Sequence, residues 1–271
     1  MKEFAAVDID DTLIDTDRRR WAAWCMVLNR EIDFGAVRTS SSKKILTDLG
    51  CGSDELWKEY WKILLCLDRR GTGLLRLDEP IQFAPEVMRE LAETLDVVYL
   101  TGRTSNMHEL TLRELAQFGF PVANVDLVMS PNLEDYLASP EQTRSALLTS
   151  TLRARKAVLV VDDNPLYFSL YREFGIPHRI GFLRMQRFPR ESYRDATSVI
   201  ASWKELLHQD PLAPAQTSRT SENRRIALYL GYRSDHYVGV RGRPGSGYHE
   251  TLIGPLEYRI DRIVPFSLGG E

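Results

Sequence analysis

Apolar residues along this chain fall in short unbroken runs that stop abruptly at polar clusters. Residues 4–7 end at Asp8, residues 97–100 at Thr101, and residues 157–161 at Asp162. Runs of this length, rich in Val and Leu and bounded by polar residues, predict buried strands. Between them the period changes. Trp21, Trp24, Cys25 and Leu28 stand at i, i+3, i+4 and i+7, one face of a helix. Ser41 or Ser42 opens a second helix that ends near Gly50. Ser53 opens a third, with Leu56, Tyr60, Ile63, Leu64 and Leu67 as its apolar stripe and Gly71-Thr72-Gly73 as its stop.

Farther on, Pro85 suits the first turn of a helix running to about Thr94. A strand at 96–100, a helix at 105–118 ended by Gly119, and a short strand at 126–129 follow. A helix opens at Ser139-Pro140 and runs to about Arg155, before the strand at 157–161. Asn164-Pro165 caps the next helix, which ends near Gly175. A last strand at 178–182 and a closing helix at 203–207 complete the pattern. Alternating strands and helices predict an α/β fold, a Rossmann-like parallel sheet with right-handed crossovers.

Residues 1–15 and 81–208 therefore read as one core, interrupted by an all-helical insertion at 16–80. Residues 209–223 are rich in Pro, Ser, Thr and Ala and read as a linker. Alternation returns at 226–232, 236–241 and 256–260, predicting a small β-rich extension over 224–271. A segment that short is expected to pack on the core or on a second copy of the chain, which makes a homo-oligomer the expected assembly.

The 271 residues carry a formal net charge of −3, which argues against a general nucleic-acid coat. Three cysteines, Cys25, Cys51 and Cys66, lack metal-ligand spacing and read as reduced thiols of a cytoplasmic protein. The N-terminus reads as lacking a signal peptide, and no apolar stretch is long enough to span a bilayer.

The strand ends carry the candidate chemistry. Asp8, Asp10 and Asp11 follow the first apolar run directly. Carboxylates so placed are costly unless something neutralises them. Strand alternation puts Asp8 and Asp10 on one side, where two carboxylates can share Mg²⁺, a cation that takes oxygen ligands and keeps substrate phosphate in its shell. In open α/β sheets ligands bind beyond the carboxyl ends of the strands, so the ends at Asp8, Thr101 and Asp162-Asp163 are expected to converge.

Asp8-x-Asp10-x-Thr12, Thr101 after an apolar strand, and the Asp162-Asp163 pair after another resemble, in order and separation, the motifs of the haloacid dehalogenase (HAD) superfamily of phosphohydrolases. The resemblance covers roughly residues 1–208. It implies a Mg²⁺-dependent phosphatase in which Asp8 attacks phosphorus to give an aspartyl-phosphate. Asp10 would protonate the leaving oxygen and then deprotonate water, while its backbone carbonyl ligates the metal. Asp163 is the expected direct metal ligand, and Asp162 a direct or water-mediated one. Thr101 would hydrogen-bond a phosphoryl oxygen, and Gly102 would let the backbone approach the anion. Arg103 either touches substrate or pairs with a surface carboxylate.

The superfamily pattern also has a lysine that balances the carboxylates. Here Lys156 lies six residues before Asp162, roughly 20 Å away at about 3.3 Å per strand residue, at the wrong end of the sheet. Arg144, early in a helix antiparallel to that strand, is assigned the cationic role instead. The insertion sits where HAD enzymes carry a cap, which implies a small phosphorylated substrate such as a nucleotide or sugar phosphate. Residues 100–131 also resemble the phosphatase part of polynucleotide kinase-phosphatases. Arginines at 18–20, 69–70, 224, 225, 241 and 243 would then hold a phosphorylated nucleic-acid end. A non-enzymatic phosphate-sensing or partner-binding module is the remaining alternative.

Overall fold

The structure is a computed structural model that describes residues 3–50, 53–184 and 187–207. The expected linker and β-rich extension, with Cys51, lie outside the described residues.

The first strand, β1 (Phe4–Asp8), is buried throughout. The chain then turns sharply, with Asp11 in the left-handed region at φ 66°. A two-residue strand, β2 (Ile14–Asp15), pairs antiparallel with β3 (Glu79–Pro80), Ile14 opposite Pro80. Neither strand is long enough to show a period, so the pairing was invisible in the sequence. It clasps both ends of the helical insertion.

Within the insertion lie α1 (Asp17–Leu28), α2 (Phe34–Thr39), α3 (Ser42–Asp48), α4 (Asp54–Leu64) and α5 (Arg69–Thr72). They bury a core of their own around Ala23, Trp24, Val37, Ile45, Tyr60 and Ile63. Trp24 stacks on Tyr60 with ring centroids 4.0 Å apart. Of the two candidate serines, Ser41 caps α3 by accepting from the Lys44 N–H, and Ser53 caps α4 by accepting from the Leu56 N–H. The expected third helix is too long. It stops at Leu64 because Cys66 takes a left-handed conformation at φ 56°, and Leu67 is left 47% exposed rather than on the apolar stripe. Gly71 stands inside α5 instead of ending a helix. A Cβ there would lie 1.9 Å from the Ile63 carbonyl oxygen, so only glycine fits.

The core continues with α6 (Ala84–Thr94), β4 (Asp96–Thr104), α7 (His108–Gln117), β5 (Asp126–Ser130), α8 (Leu133–Ala138), α9 (Pro140–Ala154), β6 (Ala157–Asp162), α10 (Phe168–Glu173), β7 (His178–Phe182) and β8 (Ser198–Ile200). Six strands form one sheet in the order β5-β4-β1-β6-β7-β8, and every neighbouring pair is parallel. Chain order reverses on either side of β1, so the crevice beyond its carboxyl end is the topological switch point. Asp8 is level with Leu100 on β4, and Val7 with Val161 on β6. Thr101 and Asp162, one residue farther along each neighbour, therefore flank Asp8.

Strand alternation decides what Asp8 meets. Ala5 and Val7 face a core shared with Val87 and Leu91 of α6 and Leu115 of α7. Phe4 and Ala6 face the opposite core, with Leu148 and Leu152 of α9 and Phe168 and Tyr171 of α10. Asp8 continues the second series and Asp162 follows Val160 on that same face, so both carboxylates are aimed at α9 and α10.

Candidate active site

Arg144, early in α9, sits between the two carboxylates. Its Nη2 donates to Asp8 Oδ1 at 2.6 Å and to Asp162 Oδ2 at 3.2 Å. The remaining capacity of Asp162 is taken by the Tyr171 hydroxyl at 2.6 Å and the Asn164 N–H at 2.8 Å. Asp8 also accepts from the Thr12 hydroxyl at 3.0 Å. Thr12 in turn accepts from the Asp163 N–H at 3.1 Å, tying the first strand end to the third. Asn164 caps the turn after β6 by accepting from the Leu166 N–H.

Asp163 is half-buried, and among the described residues its carboxylate has no hydrogen-bond partner. One oxygen each from Asp8, Asp162 and Asp163 lie within 4.8 Å of one another. Three carboxylates against one guanidinium leave an excess of negative charge in a buried place. Burial, together with Asp162 and Asp10, overcomes Arg144 and pushes the Asp8 carboxyl up to about 7. Burial and the neighbouring Asp8, Asp11 and Asp162 also hold Asp163 well above the usual carboxylate range. An all-oxygen, acidic donor set of this kind fits a hard divalent cation such as Mg²⁺.

A pH dependence follows with a definite sign. The folded Asp8 keeps its proton up to about pH 7, whereas the unfolded chain releases it near 3.8. Asp8 therefore lowers the stability of the metal-free protein as pH rises between those values, and no further above them. A ligating carboxylate must first lose its proton. Mg²⁺ affinity should thus climb by up to about tenfold per pH unit below 7 for that one proton and flatten above it. Melting curves with and without Mg²⁺ from pH 5 to 9 measure both effects.

Asp10 does not join this cluster. The strand ends at Asp8, so alternation does not carry through to Asp10, and the side chain points toward β4. It accepts from Arg103 Nη2 and Arg19 Nη2, each at 2.8 Å, and from the Thr101 hydroxyl at 3.3 Å. Burial opposes ionisation, but Arg103 and Arg19 outweigh it and hold the Asp10 carboxyl below its ordinary value. The shared-side expectation for Asp8 and Asp10 thus fails for the side chains. Arg103 pairs with carboxylates, but not with a surface one, and it also lines the pocket into which Asp8 opens. It is 1% exposed, and its partners are the buried Glu114 at 2.5 Å and Asp78 at 3.6 Å and the half-buried Asp10. Arg19 Nε lies 3.1 Å from Asp78 Oδ1. Replacing Arg103 with Met should cost about 3–5 kcal/mol of stability, because two buried carboxylates lose their main partner; urea unfolding measures it.

These groups open on a cavity of about 260 Å³ walled by the core and by the insertion. Gly102 lines it beneath Tyr136 of α8; a Cβ at Gly102 would just touch that ring at 3.4 Å. Trp61 of α4 packs edge-on against Tyr136, centroids 5.0 Å apart. The insertion is further held down by Asn106 donating to the Leu65 carbonyl at 2.9 Å.

No protein-family model matches the sequence, and no curated protein matches it significantly. Solved structures do resemble it. A haloacid dehalogenase-like hydrolase from Streptococcus pneumoniae superposes with a TM-score of 0.55 at 13% identity, over 76% of this chain and 97% of that one. A protein described as a predicted phosphatase from Clostridium acetobutylicum gives 0.55 at 14% identity, over 76% and 96%. A HAD-superfamily hydrolase from Geobacter sulfurreducens gives 0.51 at 16% identity, over 78% and 97%. The chain has the HAD fold. At these identities the likeness is one of architecture, and the site rests on its own residues.

On the HAD fold, Lys156 is at the opposite edge of the sheet, paired with Glu3 at 2.5 Å. Arg144 occupies the place between the carboxylates. Sequence reasoning missed Tyr171, Asp78 and Glu114, and read Arg19 only as part of a basic cluster. Only Tyr171 had a usable signal, since it lies nine residues past Asp162 on the helix that follows the turn capped by Asn164. Among the described residues, most arginines proposed for nucleic-acid ends are engaged with carboxylates. Arg19 and Arg20 are buried in ion pairs, Arg18 faces Glu79, and Arg70 pairs with Asp68 and Glu59. The tail arginines lie outside the described residues. Among the described residues no helix is long and apolar enough to cross a membrane, and Cys25 and Cys66 are free.

Proposed function

We propose that this chain is a Mg²⁺-dependent phosphatase that hydrolyses a small phosphomonoester, a nucleotide or sugar phosphate, through an aspartyl-phosphate on Asp8. The observation that carries the reading is Arg144 bridging Asp8 and Asp162 while the Asp163 carboxylate is left without a partner beside them. Arg144 holds the Asp8 carboxylate in one orientation, with an oxygen available for attack on phosphorus. Asp8, Asp163 and the Asp10 backbone carbonyl would hold the metal, with Asp162 kept as the anchor of Arg144 by Tyr171 and Asn164. Bound there, Mg²⁺ supplies charge that offsets the repulsion between carboxylate and phosphate dianion.

Asp10 gives a proton to the leaving oxygen and then takes one from the water that attacks the phosphoryl-enzyme, restoring Asp8. Arg103 and Arg19 favour the ionised form of Asp10, the form the second step needs; for the first step the anionic substrate beside Asp10 disfavours its charge and favours the protonated form that donates. The Thr101 hydroxyl, which donates to Asp10, turns to a phosphoryl oxygen when substrate enters. The cavity closed by Trp61 and Tyr136 supports a small substrate over a nucleic-acid end. A reduced, cytoplasmic setting and a homo-oligomer formed through residues 224–271 belong to the same proposal.

Hydrolysis of p-nitrophenyl phosphate with Mg²⁺, against Asp8→Asn, tests it. Turnover by the native chain alone is expected. Equal signal from both proteins would remove the enzyme reading and favour the binding module.

A further inference from the structure

At the insertion side of the cavity, four guanidinium groups converge on one carboxylate. Asp17 faces Arg20 at 3.4 Å, Arg184 at 3.0 Å and Arg38 at 3.6 Å, and also Arg187. Arg184 has a second carboxylate in Asp15 at 2.5 Å, and Arg187 has Asp11. Arg20 has no second one. Among the described residues Asp17 is its only carboxylate at ion-pair distance, and its other partners are neutral: the Ser40 carbonyl at 3.0 Å and the Ser42 hydroxyl at 3.5 Å. Arg20 is only 6% exposed, yet it lines the cavity that holds Asp8. Ser42 and Tyr60 line it too, their hydroxyls 3.1 Å apart. Arg20 is thus a buried guanidinium that shares its one ion-pair carboxylate with other arginines, has Asp11 only at longer range, and reaches the cavity beside two hydroxyls. A buried charge in that state is stabilised by an incoming anion.

We infer that Arg20, Ser42 and Tyr60 form a subsite for a second anionic group on the leaving portion of the substrate, a carboxylate or a further phosphate. The inference rests on the phosphatase reading and narrows it. The preferred substrates are small phosphomonoesters charged at both ends, with the transferred phosphoryl group at Asp8 and the second anion at Arg20.

A matched pair of probes tests this. 3-Phosphoglycerate and glycerol 3-phosphate differ only by a carboxylate in place of a hydroxymethyl group. Binding is measured by calorimetry on Asp8→Asn protein with Mg²⁺, and kcat/KM on native protein. The acid should bind about tenfold to a hundredfold tighter than the alcohol, the range of one or two charge-assisted hydrogen bonds. Arg20→Gln should erase that preference, while Arg20→Lys should keep part of it. Equal binding of the two probes by the protein with Arg20 intact would overturn the subsite, whether or not the variants fold. A preference that survives Arg20→Gln would overturn its assignment to Arg20. If the acid binds tighter but neither probe is turned over, the subsite stands and the phosphatase reading falls.

Discussion

Asp8→Asn should abolish turnover, lowering kcat by at least about 10³-fold, because an amide cannot take up and release a phosphoryl group. The same substitution should make the metal-free protein more stable at pH 8. There the native Asp8 is ionised in a buried site beside Asp162 and Asp163, and its carboxyl has been pushed up to about 7. At pH 5 the native side chain already carries a proton in the folded state while the unfolded chain has mostly released it, so the gain should be smaller than at pH 8, and it should vanish only below about 3.8. The rise in melting temperature given by Mg²⁺ should shrink in the variant, since one of its carboxylates is gone. A scan of melting temperature against pH, with and without Mg²⁺, reads all of this. A variant that is inactive yet unchanged in stability at both pH values would show that Asp8 is not the strained carboxylate of the cluster.

Arg144→Ala should cut kcat by about 10²–10³-fold, the usual loss when a fixed donor beside a developing phosphoryl charge is removed. Removing it also leaves Asp8 and Asp162 facing each other without a cation, which should cost about 3–5 kcal/mol in the metal-free state. Mg²⁺ should recover part of that stability and little of the rate. Arg144→Lys keeps one charge but a different reach. It should restore folding more fully than turnover, because one Nη2 serves both carboxylates at 2.6 and 3.2 Å. Unchanged kcat and KM in Arg144→Ala would reject its role.

Asp8, Thr101, Arg144, Asp162 and Asp163 were legible because strand parity and strand ends are local properties. The run at 157–161 fixed where the third strand stops, and Asn164-Pro165 fixed the turn after it. Arg144 followed from helix direction alone. Asp10 was wrongly expected on the side of Asp8 because alternation holds only inside a strand, and β1 ends at Asp8. The carboxylates that pair with Arg103 were not legible because Asp10, Asp78 and Glu114 come from three distant segments that only the folded chain brings together. The short pieces were missed for a simpler reason. A helix such as α8 or a two-residue strand such as β2 contains less than one useful repeat of any hydrophobic period.

The clasp formed by β2 and β3 brings both chain crossings to one point. Arg19 follows the first crossing and Asp78 precedes the second, and both are buried against Asp10 and Arg103. The helical lobe cannot lift away from the sheet without pulling these charges apart or letting water in among them. Lifting the lobe would take Arg19 away from Asp10 but leave Arg103 beside it, since Arg103 and Asp10 both belong to the core, so Asp10 would keep one of its two cations.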